Sequence, residues 1–201
     1  MKYAQILARE GFCGSLILAA LFVVFFWCFG WGVLSFVILV ILGFWLFTFR
    51  NPERLVDRRV GGLIVSPCDG VITNIQYIDK KVILNFRISV TDVGLLRSPI
   101  DTPSLSWSRV NGLRAFFADN TLKQCFNTTL SCQASNFKLE VISEIFNPSC
   151  YELSSDIFAG DRIGFCKSGW LELELDASIL ELQVNIGDRV KGGYTSLGYK
   201  K

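Results

Sequence analysis

The sequence offers few side chains for nucleophilic or acid-base chemistry, because it contains no histidine. Without an imidazole, Ser-His-Asp and Cys-His nucleophile pairs and His-ligated zinc are excluded. Two carboxylates at a spacing of two, Glu172 and Glu174, would suit an acid-base pair. They alternate with leucines in Trp170–Leu175, however, and this alternation favours the solvent-exposed face of a strand.

The cysteines form no C-x-x-C pair, which argues against zinc and thioredoxin-like sites. They are Cys13, Cys28, Cys68, Cys125, Cys132, Cys150 and Cys166. The first two lie in or beside an apolar stretch, where cysteine acts as a small hydrophobic residue. We therefore expect most of the seven to be buried free thiols in a reducing compartment. The sequence does not exclude a disulfide between two of the last five cysteines.

The first structural element that the sequence predicts is a membrane segment. Hydrophobic residues make up 51% of the chain, and the net charge is only +2, which argues against disorder and against nucleic-acid binding. No charged residue occurs from Leu16 to Phe49, a run too long for one untilted helix. Gly30-Trp31-Gly32 divides it, which predicts a membrane-inserted helical hairpin.

Basic residues flank this run on both sides, which favours a hairpin with both ends on the cytoplasmic face of the cell (inner) membrane. A cleaved signal peptide is disfavoured by the length of the run. The chain predicts an anchor domain at residues 1–59, which either spans the bilayer or enters one leaflet. The basic residues that follow the run are expected to meet anionic headgroups, or to extend towards water without specific lipid contacts. They are Arg50, Arg54, Arg58 and Arg59.

Residues 60–201 read as a mainly β domain, a small hairpin-rich barrel or sandwich, with no helix of useful length. The predicted strands are short apolar runs between turn residues. They are Leu63–Val65, Val71–Ile78, Lys81–Ile88, Leu113–Phe117, Phe137–Glu144, Arg162–Cys166, Trp170–Leu175 and Leu180–Val184. Three similar turns, Cys68-Asp69-Gly70, Gly160-Asp161-Arg162 and Gly187-Asp188-Arg189, are each expected to be closed by the aspartate side chain.

Several separated motifs, in order after an apolar anchor, resemble the short bacterial phosphatidylserine decarboxylase proenzymes. The family shows Phe-Arg-(Asn/Asp)-Pro-x-Arg, Ser-Pro-x-Asp-Gly-x-(Val/Ile), Ser-Pro-x-Asp-Val-His-Val-Asn-Arg-x-Pro, Gly-x-Arg-Phe-Gly-x-Ile-x-Phe-Gly-Ser-Arg and a closing Val-x-x-Gly-x-x-Val-x-x-Gly. The similar stretches here are Phe49–Arg54, Ser66–Ile72, Ser89–Pro99, Gly160–Leu171 and Val184–Gly193. The resemblance covers nearly the whole chain.

The resemblance implies a membrane protein of phospholipid metabolism that converts phosphatidylserine to phosphatidylethanolamine and carbon dioxide. In that family a serine attacks the carbonyl group before it and becomes a pyruvoyl group, which forms an imine with the substrate amine. The resemblance implies no separate cofactor and no metal. The partners that it implies are the phospholipid membrane, phosphatidylserine, and an active paralogue or a second copy of this chain.

Residue by residue, the chain departs from the family's catalytic set. The aspartate of the first turn is present as Asp69, whereas Gly94 stands at the histidine position. The cleavage glycine corresponds to Gly169, and the serine that would become pyruvoyl corresponds to Trp170, which has no hydroxyl group. Ser168, two residues earlier, is the hydroxyl that a local shift would offer.

Two main hypotheses follow. In the first, the protein is a degenerate family member without a cofactor, in which Asp69 is a turn residue, Ser168 a loop hydroxyl and Asp92 a surface carboxylate or a partner of Arg97. In the second, it is an active decarboxylase that cleaves at Lys167-Ser168, with Asp69 and Ser168 as catalytic residues and a pyruvoyl group from Ser168. Asp69 or Asp92 would then act as the base in place of the missing histidine. A third and weaker hypothesis is an anchored β domain that shares only its hairpin turns with the family.

Overall fold

A computed structural model describes residues 7–54, 62–113, 119–151, 156–177 and 180–200. The chain divides into two compact units, Met1–Glu53 and Arg54–Lys201. The first is a helical hairpin and the second is built mainly of antiparallel strands. The fold class expected from the sequence is therefore confirmed, while the expected domain boundary at residue 59 lies outside the described residues.

The first unit contains a 3-10 turn at Arg9–Gly11, α1 at Phe12–Phe29 and α2 at Val33–Thr48. The break between the helices falls at the predicted glycine pair, and Gly30 takes a φ of 65°, which glycine adopts without strain. At the other end, the indole Nε1 of Trp45 donates a hydrogen bond of 3.0 Å to the carbonyl oxygen of Gly11. Only a glycine at position 14 leaves room for this ring, since a Cβ there would lie 2.4 Å from it.

The helices of this unit are apolar on nearly every side. Arg9–Phe29 is long and apolar enough to cross a membrane, and none of its most apolar stretch is buried. α2 buries only Ser35, Ile38 and Thr48. A helix that is apolar all round and not covered by protein is typical of a membrane segment, so the unit supports membrane association.

The described part of the second unit contains thirteen strands and one short helix. They are β1 at Leu63–Val65, β2 at Gly70–Ile78, β3 at Lys81–Ile88, β4 at Leu95–Arg97, β5 at Ser106–Val110, α3 at Asn120–Phe126, β6 at Thr129–Gln133, β7 at Phe137–Ser143, β8 at Ser149–Cys150, β9 at Arg162–Phe165, β10 at Gly169–Asp176, β11 at Leu180–Leu182, β12 at Arg189–Val190 and β13 at Ser196–Lys200.

These strands form three antiparallel sheets. The largest has the order β12-β2-β3-β10-β7-β6-β5, and two three-stranded sheets have the orders β1-β13-β11 and β4-β9-β8. β10 lies between β3 and β7, and its leucines at 171, 173 and 175 are buried in the core. Its other face carries Glu172, which is exposed, and Glu174, which pairs with Lys81. The expectation of an outward-facing carboxylate pair is confirmed.

The predicted strands correspond to β1, β2, β3, β7, β9, β10 and β11, and most of the predicted strand Leu113–Phe117 lies outside the described residues. The sequence analysis missed β4, β5, β6, β8, β12, β13 and the seven-residue helix α3. β5 and β6 lack an apolar run; β6 is held by pairing with β7, and β5 by pairing with β6. Their strand conformation is therefore a product of the sheet rather than of local sequence preference.

Two of the three aspartate turns are closed as expected. Asp161 accepts a hydrogen bond of 3.1 Å from the amide of Phe158, and Asp188 accepts one of 2.8 Å from the amide of Asn185. Asp69 departs from this pattern, because its carboxylate accepts hydrogen bonds from an arginine and from a distant amide, as described below.

All seven cysteines are free thiols, as expected, but the expectation that most are buried is wrong. Cys68, Cys132 and Cys166 are buried, whereas Cys13, Cys28, Cys125 and Cys150 are exposed. The first two of these four lie on α1, which buries no residue against other parts of the protein. Burial raises the pKa of Cys132 and of Cys166 to about 12, so both stay protonated at neutral pH.

Gly169 allows β10 to enter the large sheet, and we predict that Gly169→Ala is strongly destabilising. Its φ is 150°, and a Cβ would lie 2.0 Å from the carbonyl oxygen of Ile142. We expect a loss of about 3 kcal/mol in the free energy of unfolding, from backbone strain and overpacking together. Urea unfolding of the full chain in detergent, followed by tryptophan fluorescence, measures this loss.

Gly187→Ala is the matched control, because Gly187 has a φ of 94° but no atom lies within 4 Å of the position that a Cβ would take. The free energy of unfolding of this variant should fall by only about 1 kcal/mol, from backbone strain alone. Equal losses in the two variants would show that the contact with Ile142 does not limit this position.

Candidate active site

Asp69, at the start of β2, is held by an arginine that comes before the first strand. Arg54 binds both carboxylate oxygens of Asp69, with its Nη2 at 2.7 Å from Oδ2. The amide of Gly192 donates a second hydrogen bond to Oδ1, at 2.8 Å, and Arg54 returns one to the carbonyl oxygen of Gly192. The carboxylate of Asp69 therefore links three segments of the chain through charged hydrogen bonds.

Asp92 lies in the loop between β3 and β4 and is nearly buried, so the expectation of a surface carboxylate is wrong. It accepts a hydrogen bond of 2.9 Å from the amide of Ser89 and pairs with Arg189 at 3.2 Å. Its backbone carbonyl accepts a hydrogen bond from Nζ of Lys167, a lysine that is fully buried. The loop therefore covers the ammonium group of Lys167, whose side chain is buried in the core.

Gly94, which the sequence analysis matched to the family's histidine, has no room for a side chain. A Cβ on Gly94 would lie 2.8 and 2.9 Å from ring carbons of Phe165 and 3.0 Å from the carbonyl oxygen of Cys166. Phe165 is itself buried in the core, and the amide of Cys166 donates a hydrogen bond of 2.7 Å to the carbonyl oxygen of Gly94. β9 thus occupies the space that an imidazole would need.

Trp170, which the sequence analysis matched to the family's cleaved serine, lies within the ladder of a central strand. Trp170 follows Gly169 on β10, opposite Arg87 of β3 and Ile142 of β7. The guanidinium group of Arg87 lies over the indole ring, 4.1 Å from its centroid, which is a cation–π contact. The peptide bond between residues 169 and 170 is therefore part of a central strand, at a point where Gly169 takes a φ of 150°.

Ser168 lies in the turn between β9 and β10, where it is almost fully buried. Its hydroxyl donates a hydrogen bond of 3.0 Å to Oε2 of Glu144, and its carbonyl oxygen accepts one of 2.8 Å from the amide of Glu144. Arg87 binds the same carboxylate at 2.6 Å and Lys123 binds it at 2.8 Å. We call Arg87, Lys123, Glu144 and Ser168 the Glu144 cluster.

The cluster keeps Glu144 ionised. Burial by itself raises the pKa of this carboxyl, but the hydrogen bonds from Lys123 and Arg87, the charge of Arg87 and the hydrogen bond from Ser168 outweigh burial. The pKa of Glu144 therefore lies below its usual value of 4.5. A carboxylate stabilised in this way is a good hydrogen-bond acceptor and a weak general base.

A pocket opens beside the cluster. Its lining contains one guanidinium group, one carboxylate, two hydroxyl groups and two aliphatic side chains. It is formed by Arg87, Ser89, Val90, Glu144, Ile145 and Ser168. Nη1 of Arg87 is buried and has no hydrogen-bond partner among the described residues, a deficit that a bound anion would relieve.

The structure does not bring the two predicted catalytic residues into one hydrogen-bond network. Among the described contacts, Asp69 is bound by Arg54 and Gly192, whereas Ser168 is bound by Glu144. Sequence analysis missed Arg87 of β3, Lys123 of α3 and Glu144, which directly follows β7. The available signal was a charge at the end of an otherwise alternating strand, which has no specificity for a site.

The basic residues predicted to meet lipid are placed as follows. Arg50 donates a hydrogen bond of 3.0 Å to the carbonyl oxygen of Phe47 and lies over the ring of Phe47, 4.2 Å from its centroid. Arg54 is bound to Asp69, with only 13% of its side chain exposed. Arg58 and Arg59 lie outside the described residues.

Among the described residues, no group of three potential ligands is arranged to hold a metal ion.

Comparison with known proteins identifies relatives over nearly the whole chain. A sequence profile of the family named phosphatidylserine decarboxylase matches residues 41–144. A phosphatidylserine decarboxylase proenzyme of Amoebophilus asiaticus is 30% identical over 76% of this chain and 74% of its own length. Those of Chlorobaculum parvum and Symbiobacterium thermophilum are 29% and 27% identical, over 85% and 96% of this chain and 85% and 95% of their own lengths. No solved structure matches significantly.

The Glu144 cluster should make folding sensitive to acid. The folded-state pKa of Glu144 is lowered, so its stabilisation is present above the usual value of 4.5 and is lost as the pH falls through the folded value. Glu144→Gln removes the charge and leaves Arg87 and Lys123 without their anion. We expect it to lower the free energy of unfolding by about 2 kcal/mol at pH 7, and by much less near pH 3.

Urea unfolding of the full chain in detergent across this pH range measures both differences. Glu174→Gln is the matched control, because Glu174 carries the same charge on the outer face of the same sheet. A loss in Glu144→Gln that is equal at both ends of the pH range would contradict the assigned role of the ionised carboxylate.

Proposed function

Because this chain belongs to the phosphatidylserine decarboxylase family, we propose that it is a membrane-anchored member that binds phosphatidylserine without decarboxylating it. The family is pyruvoyl-dependent and acts in phospholipid metabolism. We place the β unit on the cytoplasmic face of the inner membrane, where Arg50, Arg58 and Arg59 meet anionic headgroups. Arg54 is already bound by Asp69, which argues against a lipid contact for it.

The observation that carries the loss of catalysis is the place of Trp170. The residue at this position would have to supply the hydroxyl group from which the pyruvoyl group is made, and an indole has none. The site therefore does not fit the group. In addition, Trp170 pairs with both neighbouring strands and lies under the guanidinium of Arg87. These contacts favour a stable central strand over a bond prepared for cleavage.

The closed space around Gly94 supports the same proposal. An imidazole at this position would have to displace the buried ring of Phe165. Exchange of one residue would therefore not restore the family's histidine, because the neighbouring strand has taken its volume. The remaining family residue, Asp69, is engaged by Arg54 and Gly192, which supports a structural role for it.

The pocket beside Ser168 supports headgroup binding. A phosphatidylserine headgroup carries a phosphate, a carboxylate and an ammonium group. Although Nη2 of Arg87 is bound to Glu144, its Nη1 has no hydrogen-bond partner among the described residues and suits either anion. Oε1 of Glu144, which accepts only from Lys123 among the described contacts, suits the ammonium. The hydroxyl of Ser168, fixed by Glu144, is a further hydrogen-bond partner at the pocket wall.

One observation favours a second candidate function, self-cleavage at Lys167-Ser168. Glu144 stands where a base for Ser168 is needed, at 3.0 Å from its hydroxyl. It would have to take the hydroxyl proton while Ser168 Oγ attacks the carbonyl carbon of Lys167, and return the proton to the nitrogen of Ser168 as the peptide C–N bond breaks and leaves an ester. Lys123 and Arg87 lower the pKa of Glu144, however, which makes this transfer unfavourable. We therefore rank this candidate below lipid binding without catalysis.

Intact mass separates the two candidates. We expect the protein purified from membranes to be a single chain of 22.6 kDa that does not react with a carbonyl-directed probe such as a hydrazide. Ser168→Ala should give the same pattern, lowered by one oxygen. Two fragments split before Ser168, the smaller one reactive with the probe, would overturn the proposal, provided that Ser168→Ala stays intact.

Binding of phosphatidylserine tests the pocket directly. We expect soluble, short-chain phosphatidylserine to bind the full chain in detergent, with heat measured by titration calorimetry. Arg87→Gln should weaken this binding about tenfold, since a charged hydrogen bond contributes roughly 1.4 kcal/mol or more. Arg109→Gln is the matched control, because Arg109 lies exposed on the edge strand β5 of the same sheet.

Equal affinities of the two arginine variants would show that the lipid does not use this pocket. Equal binding of short-chain phosphatidylcholine and phosphatidylserine to the unaltered protein would likewise remove the assignment of Glu144 and Arg87 to the serine headgroup.

A further inference from the structure

Both ends of the helical hairpin lie at the same end of the first unit. Leu7 and Arg50 form an antiparallel bridge, and the amide of Ala8 donates a hydrogen bond of 2.8 Å to the carbonyl oxygen of Phe49. Charged residues occur at this end, as Arg9, Glu10 and Arg50, whereas the turn at Gly30–Gly32 has none nearby. The two ends must therefore lie on the same side of a membrane, with the turn pointing away from them.

The lengths of the two helices nearly match the hydrocarbon layer. α1 has 18 residues and α2 has 16, which at 1.5 Å per residue gives roughly 27 and 24 Å. The hydrocarbon layer is about 30 Å thick. A hairpin that crosses it is short by only a few Å, and local thinning of the bilayer compensates for a mismatch of this size at a modest cost.

The backbone of the turn is only partly satisfied within the protein. The carbonyl oxygen of Gly30 accepts hydrogen bonds from the amide of Gly32 and from the hydroxyl of Ser35. Within the described residues, the carbonyl oxygens of Trp27, Cys28 and Phe29 accept none.

The amides of Trp31, Val33 and Leu34 likewise donate no hydrogen bond within the described residues. These groups belong to the C-terminal end of α1 and the N-terminal end of α2, which meet at the turn. Placing each such group in hydrocarbon without a partner has a large free-energy cost, whereas water or lipid headgroups would form a hydrogen bond with it. The combined penalty exceeds the cost of a mismatch of a few Å.

Two tryptophans at the turn point to the same location. The side chains of Trp27 and Trp31 are among the most exposed of the unit, at 87% and 73%. Tryptophan is enriched where hydrocarbon meets headgroups, because its ring is apolar and its N–H needs a polar partner. Trp45 lies near the opposite end of the hairpin, against Gly11 and Gly14. Tryptophans thus mark both ends of the helix pair.

A hairpin that lies flat in one leaflet would need a polar face, and α1 has none: it contains no charged residue, and Ser15 is its only hydroxyl. From these observations we infer that the hairpin crosses the hydrocarbon layer completely, and that Gly30–Gly32 lies among the headgroups of the opposite leaflet. The inference does not depend on whether the β unit is catalytic.

Side-specific labelling of a cysteine at the turn tests this inference. Gly32→Cys is the variant of choice, because Gly32 has a φ of −106° and a Cβ there would meet no atom within 4 Å. The full chain is expressed in sealed inner-membrane vesicles, and protease digestion selects preparations in which the β unit faces outward. A membrane-impermeant maleimide is added outside, before and after a pore-forming protein opens the vesicles. Peptide mass spectrometry then reports each labelled cysteine.

We expect Cys125 and Cys150, which are exposed on the β unit, to react at once, and the cysteine at position 32 to react only after pore formation. Val23→Cys is the matched control, since Val23 is 59% exposed in the middle of α1 and should react in neither state. Native Cys28, one residue before the end of α1, is a second reporter if Gly32→Cys does not accumulate.

Two results would overturn the inference. Reaction at position 32 before pore formation would place the turn on the same side as the β unit. No reaction at position 32 in either state, with full reaction at Cys125, would place the turn within the hydrocarbon, as in a hairpin that enters one leaflet only.

Discussion

The carboxylate of Glu144 joins parts of the β unit that are far apart in sequence. It binds Arg87 of β3, Lys123 of α3 and the hydroxyl of Ser168, before β10. Removal of this one anion would leave two cations close together and largely shielded from water, which is more costly than the loss of the hydrogen bonds alone. This carboxylate therefore ties the β9–β10 turn, which precedes the central strand, to β3 and α3.

The same cluster supports the proposal that the region matched to the family's catalytic residues has a structural role in this chain. Arg87 connects the two, since one guanidinium group binds Glu144 and also lies over Trp170. Phe165 fills the space beside Gly94. The ring of Phe165 and the Glu144 cluster thus lie at the positions where a reactive serine and an imidazole are expected from the resemblance. Both changes favour a rigid strand and disfavour the strained peptide that self-cleavage requires.

The two units follow different physical rules. The β unit buries alternating apolar side chains and satisfies its charges with partners inside the protein. The hairpin exposes its apolar side chains and uses glycines to let two helices approach, as at Gly14 beside Trp45. Among its described residues, backbone groups without a hydrogen bond occur at the turn, because the last carbonyl groups of α1 and the first amides of α2 meet there. In such a unit, the position of the turn is set by hydrogen bonding more than by hydrophobicity.

Local sequence pattern is enough to predict several features of this protein. An uncharged run interrupted by Gly30-Trp31-Gly32 predicts the hairpin, alternation predicts the buried and exposed faces of β10, and ordered motifs indicate the family. The partners of the charged groups, by contrast, emerge only in the folded chain. Asp69 binds Arg54 instead of closing its own turn, and Asp92 is nearly buried instead of lying at the surface. Side-chain partners are set by which strands lie side by side, and local periodicity carries no information about pairing over such distances in sequence.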